Sequence, residues 1–102
     1  MRLNIGERFV VLSLLPEAGS FINLKLIREA REACSFSEEE HKKFNFVVNG
    51  QAVTWNVDSE EEAYSEIEIS GPVKEIIISK LKELDAAEKL EERHVSLFEQ
   101  LV

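Results

Sequence analysis

One cysteine, two prolines and four glycines are all this 102-residue chain holds of the residues that staple, kink or loosen a backbone. A lone thiol, Cys34, forms no internal disulfide, which points to a reducing compartment. Its place in the apolar phase of a helical pattern suits a buried small hydrophobe rather than a reactive group. Pro16 and Pro72 stand far apart and the glycines are scattered, so there is no linker, repeat or low-complexity tract. A single domain spanning residues 1–102 follows. Long apolar runs are also missing. The longest, Phe9 to Leu15, is broken by Ser13 and stops at Pro16, far short of the ~18–20 residues a spanning helix needs. Glu7 and Arg8 precede that run and no small-residue cleavage site follows it, which is unlike a signal peptide. A cytoplasmic location is expected.

Charge of one sign is in excess. The net charge is −8, with 12 basic and 20 acidic residues. Residues 1–34 carry +1, residues 35–72 carry −7 and residues 73–102 carry −2. The middle of the chain is therefore a surface that a polyanion avoids.

Periodicity predicts an α+β domain with helices and a two- to three-stranded antiparallel sheet. Ile5, Phe9 and Leu12 recur at helical spacing, predicting a helix over 5–15 that Pro16 stops. Phe21 and Ile22 suit a short extended piece, with Asn23 as N-cap of a helix over 24–34. Leu26, Ile27, Ala30, Ala33 and Cys34 form the inner face of that helix. Ser37 and Glu40 make a capping box that opens a short helix, EEEHKKF, with Phe36 placed to staple its entry. The period then changes to two. Phe44, Phe46 and Val48 alternate, Asn49-Gly50 turns the chain, and Val53, Trp55 and Val57 alternate on the return strand. Whether that loop has two residues or four stays open. An acidic connection, DSEEEA, leads to a third strand, YSEIEIS, with Ile67 and Ile69 on one face. Gly71-Pro72 opens a helix with an apolar stripe of Val73, Ile76, Ile77, Leu81 and Leu84. The final segment carries Val95, Leu97, Phe98 and Leu101, which must be covered either by the domain itself or by a partner.

Little in the sequence carries chemistry. Among motifs, G-x-S-x-G, G-x-x-x-x-G-K-[ST] and G-x-G-x-x-G are missing. His41 and His94 have no Cys or His at ligand spacing, so no metal is expected. No cofactor is expected either, and the chain is read as non-enzymatic. Glu60, Glu61 and Glu62 suit a solvated loop better than an acid/base pair. Trp55 belongs to the core or, with that strand face open, to an interface.

The order helix, short strand over 21–22, helix, short helix, hairpin resembles a winged helix over roughly the first half of the chain. In that family the third helix usually reads DNA and the wing touches phosphates. Here the third helix begins with Glu38, Glu39 and Glu40, and the turn NGQ holds no cation. A nucleic-acid surface would need Lys25, Arg28, Arg31, Lys42 and Lys43 to converge. The stretches LLPEAGSFINLKLIREAREACSFSEEE and HVSLFEQLV resemble small proteins of bacteriophage and prophage genomes, a group that brings no assigned activity with it. That resemblance implies a bacterial cytoplasm and a role in modulating host machinery.

The leading expectation is a small acidic module that binds another protein or itself, as a homodimer, through Trp55, Leu97, Phe98 and Leu101. One alternative is a winged-helix-like nucleic-acid-binding regulator. Another is an acidic nucleic-acid mimic that inhibits a host protein, using Glu38, Glu39, Glu40, Asp58, Glu60, Glu61 and Glu62.

Overall fold

A computed structural model describes residues 1–50, 52–56 and 63–102. Strand β1 (Arg2–Leu3) leads into helix α1 (Ile5–Leu14). Asn4 caps α1 reciprocally with Glu7: the Glu7 N–H donates to Asn4 Oδ1 at 2.7 Å, and the Asn4 N–H donates to Glu7 Oε1 at 2.9 Å. Leu15, just before Pro16, is already extended.

Helix α2 (Phe21–Cys34) starts earlier than the sequence suggested. Ser20, not Asn23, is the N-cap, and its Oγ accepts from the Asn23 N–H at 3.2 Å. Phe21 and Ile22 are thus in the first helical turn rather than extended. Helix α3 (Glu38–Phe44) opens with the expected capping box between Ser37 and Glu40. Phe36 meets His41 across that entry, ring centroids 6.4 Å apart, as a hydrophobic staple.

Phe44 belongs to α3 and is buried. Asn45 then takes a left-handed conformation, φ 49°, and reverses the chain. Strand β2 (Val47–Asn49) follows and pairs antiparallel with β3 (Ala52–Thr54), but all three of its residues are exposed, so the expected alternation through Val48 does not bury that side chain. Asn49 faces Ala52, so the shorter loop holds. Val57 and the expected acidic connection, including Asp58, Glu60, Glu61 and Glu62, lie outside the described residues.

The third strand is a correction. Only β4 (Ser65–Glu66) is strand, and it pairs with β1 rather than the hairpin. Among the described residues the protein has two separate two-stranded antiparallel sheets, not one. The alternation in this stretch still holds: Ile67 and Ile69 are buried, while Glu66 and Glu68 are exposed.

Helix α4 (Gly71–Ala86) carries Pro72 in its first turn. Helix α5 (Glu92–Leu101) packs against α1 and α4, so the domain itself covers Leu97 and part of Phe98 and Leu101, while Val95 stays exposed. The core joins Leu3, Val10, Val11, Ile27, Ile77, Leu81 and Leu97 with their neighbours from every helix except α3. No helix among the described residues is long and apolar enough to cross a membrane.

Candidate interaction surface

Arg8 fixes the arrangement from which α2 projects. The periodicity of α1 turns this residue inward, and it is 2% exposed. Its Nε donates to the Cys34 carbonyl at 3.1 Å and its Nη2 to the Ser35 carbonyl at 2.7 Å. Those groups lie at the carboxyl end of α2, where helical carbonyls lack partners. Arg8 Nη1 pairs with Glu40 Oε2 at 2.6 Å, and the guanidinium lies 3.9 Å over the Phe36 ring. One buried cation thereby ties α1, the end of α2 and the start of α3 together.

The Arg8 hydrogen bond holds the Glu40 carboxyl below the ordinary carboxylate range. Burial pushes the Cys34 thiol up, so it is a packing residue and not a nucleophile. Beside this node Phe9, Phe36, Phe46 and Trp55 form an aromatic cluster. Trp55 sits 5.7 Å from Phe9 and 6.3 Å from Phe46, centroid to centroid. The cluster seats the hairpin on α1.

At the far end of α2 the body no longer covers the helix. Phe21 is 82% exposed and Ile22 is 70% exposed. Leu24 lies just behind them, also exposed. The first eight residues of α2 carry Lys25 and Arg28 and no acid. Neither cation makes a salt bridge among the described residues. Further along, a cleft of about 500 Å³ opens between α2 and the 67–70 segment. Its floor is Leu26, Ala30, Ala33 and Ile69, and Glu29 and Glu68 also line it. Ser70 borders it too, with a buried Oγ that has no hydrogen-bond partner among the described residues.

Those of the residues singled out from sequence that are described differ in their exposure. Leu97 is fully buried and cannot meet a partner, a correction that follows from α5 folding onto α1 and α4. Phe98 and Leu101 pack against the same core and are only partly covered. Trp55 is partly buried in the aromatic cluster. Of the acidic set, Glu38 and Glu39 are exposed, while Glu40 is consumed by Arg8 and by its cap. Lys25, Arg28, Lys42 and Lys43 are exposed, and Arg31 is half-buried.

Phe21 and Ile22 were missed as surface residues. Ser20 as an N-cap was the available signal, since it places both in a first turn. His94 was missed as a buried group. It is 3% exposed, and its Nδ1 accepts from the Glu91 N–H at 2.9 Å. Burial, with the nearby charge of Arg93, pushes this imidazole below its ordinary value. No group of three or more metal-ligating side chains occurs among the described residues. Compared with protein-family models, curated proteins and solved structures, the chain matches none.

Proposed function

We propose that the chain is a non-enzymatic protein-interaction module whose docking surface is the amino-terminal end of α2. The observation that carries this reading is the exposure of Phe21 and Ile22, side by side on a helix. Large apolar side chains left together in water favour association, since each gains roughly 1.5–3 kcal/mol on full burial. The surface differs from the one built on Trp55, Leu97, Phe98 and Leu101, which the domain largely uses for its own packing.

The test compares the wild-type chain with a Phe21→Ser/Ile22→Ser variant, each immobilised and exposed to a bacterial lysate. Both substitutions lie in water, so the variant is expected to keep its thermal midpoint. It is expected to lose the proteins that the wild type retains. Identical recovery from both chains, together with a strict monomer by light scattering, overturns the reading.

A second reading, a winged-helix-like nucleic-acid binder, draws on the order of α1, α2, α3 and the hairpin and on the exposed Lys25, Arg28 and Lys42. Against it stand Glu38 and Glu39, exposed in the first turn of α3. Anisotropy of a fluorescent random duplex at low salt separates the two readings. Binding that falls steeply with added salt supports the second.

A further inference from the structure

Ile22, Leu26, Glu29 and Ala33 follow one another at four- and three-residue spacing, which places them on one flank of α2. This stripe joins the exposed Ile22 to the apolar floor of the cleft at Leu26, Ala33 and Ile69. The amino-terminal half of the helix therefore offers a protruding apolar side chain, and the carboxyl-terminal half offers a hollow. Charge is divided in the same way. Lys25 and Arg28 come first, and Glu29 and Glu32 follow, while Arg31, between them in sequence, is half-buried. A surface divided like this is complementary to itself when two copies run antiparallel, because each half then meets the other half.

We propose that the partner of this surface is a second copy of the chain, bound through antiparallel α2–α2 packing about a two-fold axis. The proposal rests on the interaction reading given above and names its partner. In the register that seats Ile22 of one copy beside Ala33 of the other, Lys25 of each copy stands opposite Glu29 of the other. Lys25, one turn before Glu29, lies beside the edge of the stripe that Glu29 occupies, and a two-fold axis perpendicular to both helices brings like edges together. The two ion pairs thus form at once. Antiparallel packing also sets the positive end of each helix dipole near the negative end of the other.

Sedimentation velocity of the pure chain at low salt provides the test. A shift from monomer toward dimer is expected between about 10 and 500 μM, the range for a small, partly polar interface. Lys25→Glu and Glu29→Lys are each expected to weaken the dimer about tenfold, since each removes both exposed pairs. Both positions are exposed, so thermal melts of the variants are expected to match the wild type.

An equal mixture of the two variants is expected to restore the dimer as a heterodimer. In it the acid introduced in one chain meets the base introduced in the other, and the unchanged Lys25 and Glu29 pair as in the wild type. That recovery is particular to an antiparallel, two-fold pairing. A monomer at every concentration overturns the proposal. So does a dimer that neither substitution weakens, or one that mixing fails to restore. The two readings fail separately: a monomer whose lysate partners are still lost with Phe21→Ser/Ile22→Ser leaves an interaction module that does not pair with itself.

Discussion

At the scale of single residues, stability depends on polar groups that the core has taken in. Arg8 satisfies two carbonyls at the end of α2 and one carboxylate on α3. Its replacement by alanine strands those acceptors, and a loss of about 2–4 kcal/mol is expected in urea unfolding. Arg8→Lys is expected to recover little of it, because an ammonium gathers its donors on one nitrogen and cannot span acceptors placed around Nε, Nη1 and Nη2, or stack its plane on Phe36. His94 gives the fold a pH dependence. Its pKa is lower folded than unfolded, so the neutral form stabilises the protein above the ordinary value of 6.5. That contribution is lost as pH falls below 6.5 toward the folded value. The thermal midpoint is expected to drop between about pH 7.5 and 5.5, and to drop less in His94→Gln. Neither role was legible in the sequence. The partners of Arg8 lie 26 to 32 positions away, and no periodicity reports a contact at that separation.

At the scale of elements, capping and turn chemistry explain most boundaries. Ser37 with Glu40 and Pro72 in the first turn of α4 work as local rules predict, whereas the hairpin reverses one residue later than the Asn49-Gly50 signal implies, because Asn49 is still paired with Ala52. Gly50 has φ +66°, and a Cβ there would meet nothing within 4 Å. The cost of Gly50→Ala is therefore conformational alone, about 1 kcal/mol, and is expected as a small fall in midpoint by circular dichroism. Gly50→Asn is expected to cost less, since asparagine tolerates that region. The errors at this scale came from competing local signals. Ser20 and Asn23 are both good caps, and the earlier one took the helix. Phe44 fits either the end of α3 or the alternation of the hairpin, and the left-handed Asn45 decided for the helix.

At the scale of the whole molecule, α1 and α4 touch each other and each touches α2 and α5. Leu97 on α5 is fully buried, whereas Phe21 on α2 is 82% exposed. Leu97→Ala is expected to cost about 2–5 kcal/mol in chemical unfolding, by lost transfer energy and a residual cavity. Phe21→Ala is expected to leave the unfolding midpoint nearly unchanged. Opposite effects of these two apolar truncations would place Leu97 outside the core and the amino-terminal turn of α2 inside it.

The sequence by itself determined the α+β class, four or five helical segments and the hairpin, because hydrophobic period, caps and turns are local properties of the chain. It also determined the acidic balance and the burial of Cys34. Tertiary structure alone decided that β4 pairs with β1, that α5 closes the core within one chain, and that Arg8 and Glu40 join into one buried node. Such pairings bring together groups distant along the chain, and they form only where packing offsets the cost of ordering the segments between them. The same packing left Phe21 and Ile22 in water, since the body ends before α2 does. Local pattern marks a residue as apolar; only the assembled core determines whether anything covers it.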